Sequence, residues 1–145
     1  GDFDLVHCTS ILVNEPRHKE ILSEMYRVSN RFVLVDIRLL KDAGKIVGIK
    51  ESSYPIQYEG EYKGIRVPYV IADADETLDL MLSFDPPPQA VRGTGYYHAI
   101  PALAATPVTE VCMAVFLIQK GGNKKDRAVL DLAGLPIEFA VEAGS

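Results

Sequence analysis

The chain has 145 residues, 48% apolar and 24% charged, the make-up of an average globular protein and enough for one cored domain but too few for two. Acidic residues outnumber basic ones by 20 to 15, for a net charge of -5, which argues against nucleic acid as a principal ligand because phosphate binding needs clustered Lys and Arg. No apolar run approaches the length of a transmembrane helix, and no charged-then-apolar leader opens the sequence, so the expectation is a soluble, cytoplasmic, single-domain protein that does not engage a membrane.

In chain order, Phe3 to Cys8 (FDLVHC) is a short apolar run with Asp4 near its start, the pattern of a buried parallel strand. Asn14, Glu15 and Pro16 then supply a helix start: a polar residue able to cap, and a proline tolerated in the first turn. From Pro16 to Val28 the residues Ile21, Leu22, Met25 and Val28 form one stripe, with Arg17, Lys19, Glu20, Glu24 and Arg27 opposite. Ser29 and Asn30 end the helix. Phe32 to Ile37 (FVLVDI) is nearly continuous and β-branched, the signature of a strand covered on both faces. Strand, helix and strand in this order make a parallel βαβ unit, and open α/β sheets bind ligands beyond the carboxyl ends of such strands. Cys8, Thr9 and Ser10 occupy that position after the first strand.

The stretch 40–70 is less regular. Lys45 to Ile49 has the composition of a short strand, and Tyr54, Tyr58, Tyr62 and Tyr69 fall close together. Amphipathic rings in such an insert suit either the wall of a binding site or the packing of a long loop onto the sheet. Asp73 to Phe84 is a second helix: Asp73 with Glu76 three residues on is a capping-box variant, and Leu78, Met81 and Leu82 make the buried stripe. Asp85-Pro86-Pro87-Pro88 stops it. Val91 to His98 (VRGTGYYH) and Glu110 to Gln119 (EVCMAVFLIQ) are strands, the latter apolar on both faces and therefore central. The proline-broken segment between them is too short for a crossover helix, which makes them antiparallel neighbours. Lys120 to Arg127 reads as a solvated loop. Lys124 to Ala133 has the pattern of a short helix closed by Gly134 and Pro136, with a strand following at Ile137 to Val141.

His7, His18 and His98 lie far apart, and Cys8 and Cys112 fall on different strands, so no metal centre is expected. For the cysteines two readings stand, a single disulfide or, favoured, two reduced thiols packed as small hydrophobes. His98 beside Tyr96 and Tyr97 has the chemistry to line a substrate pocket, or else simply ends a strand. Asp36, near the carboxyl end of its strand, either contacts substrate or accepts hydrogen bonds from a turn.

The wording "FDLVHCTSILV…P…ILSEMYRVS…RFVLVDIR" resembles the fourth strand, following helix and fifth strand of a class I S-adenosylmethionine-dependent methyltransferase. The late pair "GYYH…TPVTEVCMAVFLIQK" is similar to that family's terminal antiparallel hairpin, which separates it from all-parallel Rossmann domains. The resemblance runs from about residue 2 to Lys120. It implies an α/β fold comprising a partial, mostly parallel Rossmann-like sheet, with residues 1–122 forming the carboxyl half of a methyltransferase-like domain and 123–145 a carboxyl-terminal extension. It also implies S-adenosylmethionine as cofactor of the complete protein and a small-molecule or unidentified methyl acceptor as partner. Cys8, Thr9 and Ser10 match the segment that passes beside the cofactor in the family, and Asp4 its acidic strand start. Asp36, Tyr96, Tyr97 and His98 are the substrate-side candidates.

The family's cofactor loop, a glycine-rich turn after the first strand, has no counterpart here. Gly93-Thr94-Gly95 sits in a late strand with no helix after it, and reads as a strand irregularity. Asn14 and Val13 stand where many relatives have histidines, and Ser29-Asn30 replaces a Pro-Gly-Gly-type turn. The isolated chain is thus expected to bind the cofactor weakly or not at all. An alternative is a non-catalytic assembly module, because Phe3 to Cys8 would be an apolar edge that invites pairing with a second copy. A remote one is a Schiff-base aldolase: KIVGIKESS resembles the lysine strand of the pyruvate-dependent aldolase family, with Lys50 as nucleophile, but that family needs a (β/α)₈ barrel.

Overall fold

The computed structural model describes residues 1–123, 125 and 127–139. Strand β1 (Phe3–Cys8) leads through a short 3-10 turn into helix α1 (His18–Val28), which passes directly into β2 (Ser29–Leu40). After an insert containing the small hairpin β3 (Ser53–Pro55) and β4 (Arg66–Pro68), β5 (Ala72–Asp73) runs into α2 (Ala74–Leu82). Strands β6 (Ala90–Ala99), β7 (Glu110–Gln119) and β8 (Val129–Asp131) complete the chain. The main sheet has the order β1-β2-β7-β6-β8, with β5 added beside β2. β7 alone runs against its neighbours: β1 and β5 are parallel to β2, β8 is parallel to β6, and β7 is antiparallel to both β2 and β6. This is a mixed α/β sheet, with the expected antiparallel hairpin at its centre.

The register sorts residues into two faces. Val33, Val35, Ile37 and Leu39 of β2 stand opposite Ile118, Phe116, Ala114 and Cys112 of β7, and all eight are buried. They form one core with Leu22, Met25 and Tyr26 of α1 and Leu78 and Met81 of α2. Both helices therefore cover the same face, each through the apolar stripe its sequence carries. α2 begins as its capping residues dictate: the Asp73 carboxylate accepts the Glu76 backbone N–H at 3.1 Å. α1 ends on Ser29, whose hydroxyl donates to the Tyr26 carbonyl at 3.0 Å. The Lys120 ammonium lies against the same helix end, donating to the carbonyls of Tyr26 at 2.7 Å, Arg27 at 3.2 Å and Ser29 at 2.9 Å. A cation at the negative end of a helix is favourable on charge and on hydrogen bonding together. Lys120 is thus a helix cap rather than part of a solvated loop.

Three other expectations change. Lys45 to Ile49 is not a strand: 3-10 turns at Ala43–Lys45 and Ile49–Glu51 flank Gly48, whose φ of +82° breaks any extended run. Gly93 and Gly95 are not an irregularity, because β6 pairs with β7 without a break from Ala90 to Ala99. A Cβ at Gly93 would stand 2.7 Å from the Phe116 ring and 3.0 Å from Leu135, so the glycines make room for core side chains instead. Finally, the tail forms a strand, not a helix, at Val129–Asp131, because the outer edge of β6 offers unpaired backbone to Val129, Leu130 and Asp131. Residues 124 and 126 of the expected helix lie outside the described residues. Ile137–Phe139 is a 3-10 turn rather than the start of a strand, and residues 140 and 141 also lie outside the described residues. Leu135 and Phe139 are buried in the main core, so this part of the chain is integral to it.

Candidate functional site

The segment Cys8–Ser10 leaves the carboxyl end of β1 and is held by β2. Asp36 is buried, and its carboxylate accepts the Ser10 backbone N–H at 2.8 Å. Ser10 has a φ of +59°, an unusual setting for a residue with a Cβ, and this hydrogen bond pins it there. Asp36 is therefore the turn carboxylate of the two readings above: it shapes the loop at the strand ends. Burial, with a smaller push from the Asp36 charge, raises the Cys8 thiol above its ordinary pKa, which favours its protonated form. Both cysteines are free thiols, and Cys112 is fully buried.

Two residues along β2, Arg38 lies under Tyr69, with its guanidinium 3.8 Å from the ring centroid. It donates to the Val13 carbonyl at 2.6 Å, and the Val70 N–H reaches the same carbonyl at 2.9 Å. The loop after β1 is thus clamped to both β2 and the insert. Burial lowers the Arg38 pKa against the raising effects of Tyr69 and Asp36, and raises that of Tyr69. Of the four clustered tyrosines, Tyr69 packs the insert and stands 6.3 Å from Tyr54, whereas Tyr58 and Tyr62 are exposed.

The candidates on β6 divide between faces, as strand alternation requires. Tyr96 and His98 share the face opposite the helices, their rings 6.2 Å apart, with Tyr96 66% exposed and opposite Met113. Tyr97 points the other way: it stands opposite Cys112, its ring is 5.8 Å from Phe139, and its hydroxyl donates to the Glu138 carboxylate. The structure therefore brings Cys8–Ser10 and Asp36 together, and Tyr96 with His98, while Tyr97 belongs to the packing of the tail. Lys50 is exposed on a 3-10 turn, not on a strand inside a barrel as the aldolase resemblance implies.

A concavity of another kind lies elsewhere. A cleft of about 420 Å³ opens beyond the carboxyl ends of β2 and β5, between the first turns of α1 and α2. Arg17, just before α1, with His18, Lys19 and Glu20 of its first turn forms one wall, Asp73 and Glu76 the facing one, and Ile49, Lys50, Tyr69 and Ile71 come from the insert. The Lys19 ammonium donates to Glu76 at 2.7 Å, tying the two helix starts together, and Asp73 also accepts the Gly44 N–H at 3.1 Å. His18 Nδ1 is 3.2 Å from the Pro16 carbonyl, which makes it the N–H donor and leaves Nε2 as an acceptor. Nε2 is buried and has no hydrogen-bond partner among the described residues, and burial lowers the imidazole pKa. Cys8, Thr9, Ser10, Asp36, Tyr96, Tyr97 and His98 do not line this cleft; of the residues singled out from the sequence for chemistry, Lys50 does, though for a different reaction. The cleft's walls come from two helix starts and an irregular insert, which share no periodicity, so Lys50, Tyr69, His18 and the Asp73–Glu76 pair are each visible in the sequence but nothing there joins them.

Among the described residues no group of three or more His, Cys, Asp or Glu side chains is placed to hold a metal ion, and no helix is long and apolar enough to cross a membrane. No protein-family model matches the chain, and no curated protein matches it at a significant level.

Proposed function

We propose that residues 2–120 are the carboxyl half of a class I S-adenosylmethionine-dependent methyltransferase domain, forming the substrate-side wall and one edge of the cofactor cleft. The observation that carries this reading is the strand order β1-β2-β7-β6 with β7 alone reversed: a right-ordered βαβ unit, then a late hairpin whose second strand inserts beside β2. In this reading Cys8, Thr9 and Ser10 pass beside the cofactor, Asp36 fixes their backbone, and Tyr96 and His98 face the acceptor. The cofactor's sulfonium supplies an already activated methyl group, so the residues need only hold the acceptor in line with it and keep water away. The glycine-rich turn and the ribose-binding carboxylate must come from other polypeptide, because this sequence has neither after a suitable strand.

Calorimetry with S-adenosylmethionine tests the division of labour. The 145-residue chain is expected to show no tight one-to-one binding, whereas the full gene product, irradiated with the cofactor, yields a labelled peptide containing Cys8–Ser10. Tight binding by the chain alone, or a gene product with no strand and glycine-rich turn ahead of β1, overturns the reading.

A second reading, an assembly module, rests on β1. This strand is an edge of the sheet, and its Phe3 and Leu5 are 59% and 50% exposed. Sedimentation distinguishes it: a concentration-dependent dimer favours pairing through β1, and a stable monomer removes it.

A further inference from the structure

We propose that the cleft between the first turns of α1 and α2 binds a small zwitterion of the α-amino-acid type, its ammonium taken by Glu20 and His18 Nε2, its carboxylate by Lys50, and its apolar side chain by Ile49 and Ile71. The inference is separate from methyl transfer, since none of these residues belongs to the segment assigned to the cofactor.

Most of the cleft's charge is already committed: Lys19 to Glu76 at 2.7 Å, Arg17 to Glu15 at 3.7 Å, and Asp73 to the backbone N–H groups of Glu76 and Gly44. Of the charged side chains and buried side-chain polar atoms on the walls, three remain without a hydrogen-bond or ion-pair partner among the described residues: the Glu20 carboxylate, the Lys50 ammonium and the buried Nε2 of His18. Glu20 is near enough to His18 for its charge to act on the imidazole. Two acceptors, one cation and an apolar wall are the complement of an ammonium, a carboxylate and a hydrocarbon group. A buried acceptor without a donor is a cost that a ligand N–H removes. A ligand bearing only an acid leaves Glu20 and His18 unanswered, and one bearing only an amine leaves Lys50 so. The volume, about 420 Å³, is in the range of small-molecule sites, and the place beyond the strand ends is where open α/β sheets bind ligands.

L-leucine is the test probe, followed by NMR at the His18 ring protons of the whole chain, with 4-methylvalerate as the acid-only analogue and isoamylamine as the amine-only analogue. Saturable shifts with L-leucine are expected, with each analogue weaker by about tenfold, the scale of losing one charge-assisted hydrogen bond. Lys50→Ala and Glu20→Ala, both at exposed positions, weaken L-leucine by a similar factor, while Lys45→Ala, on the same insert but outside the cleft, leaves binding unchanged. The absence of saturable shifts at millimolar L-leucine, equal binding of the three compounds, or indifference to Lys50→Ala overturns the proposal.

Discussion

On one face of the sheet Val33, Val35, Phe116 and Ile118 are sealed beneath α1 and α2; on the other, Leu34 and Leu117 are half-buried and Val115 is 39% exposed. The two faces carry similar side chains one residue out of step, so composition does not separate them. Cover does. Among the described residues the second face has a buried apolar cluster near the carboxyl end of β2, where Ala43, Ile49, Tyr69 and Ile71 of the insert meet Val111. Stability is thus concentrated on the helix side, while the loops at the strand ends and the cleft stand on the side and end that packing leaves accessible.

The largest test of that contrast is the adjacent pair Phe116 and Val115. Phe116→Ala should cost about 3–5 kcal/mol in denaturant unfolding, as for any fully buried aromatic, while Val115→Ala should cost under about 1 kcal/mol because its side chain is already partly hydrated. Equal losses would mean that the second face is covered in solution. Next, Asp36→Ala removes the acceptor that pins Ser10 and should cost about 1.5–3 kcal/mol, with Asp36→Asn restoring part of it through its remaining carbonyl oxygen. Backbone NMR shifts confined to Cys8–Ser10 would locate the effect.

Lys120→Met keeps an apolar stem but loses the ammonium that caps α1; a loss of about 1–2 kcal/mol is expected, visible as a lower Tm and faster amide exchange at the end of that helix. The pH response should also come mainly from the sealed face. Burial pushes the Cys112 thiol from 9.0 up to about 11, and the Tyr26 hydroxyl from 10.0 up to about 12. The unfolded chain releases these protons first, so the contribution of these two groups is level below pH 9 and falls as pH rises through the 9 to 12 window. Cys112→Ala should remove the earlier part of that fall and Tyr26→Phe the later part, as followed by urea unfolding across the window. The smallest effect belongs to the open edge: Leu5→Lys should change stability by no more than about 0.5 kcal/mol, yet abolish any dimer that sedimentation detects through β1.

How much of this was legible in the sequence depended on whether the signal was local. Phe3–Cys8 and Glu110–Gln119 emerge as strands with the bounds read from their apolar runs, although Phe3–Cys8 is a largely exposed edge and not buried. The helices α1 and α2 emerge through their stripes, but only α2 has the expected cap. Asn14 ends a 3-10 turn before α1, and its amide donates to the Pro68 carbonyl instead. On sequence, Tyr96, Tyr97 and His98 group together as substrate-side residues, although strand alternation sets Tyr97 on the opposite face from the other two. What stayed hidden involves partners far away along the chain. Lys120 looks like one basic residue in a polar loop until it meets the end of α1, more than ninety residues earlier. Val129–Asp131 becomes a strand only because β6 has a free edge, and Gly93 is needed only because Phe116 and Leu135 fill its space.

The sequence by itself determined the βαβ unit, the two helices and the late hairpin, since periodicity and capping act over one or two turns. The tertiary structure alone decided which face is closed, what holds Cys8–Ser10, and where the cleft lies. Those features are set by burial and by hydrogen bonds between residues brought together from distant parts of the chain, and no local pattern encodes such a meeting.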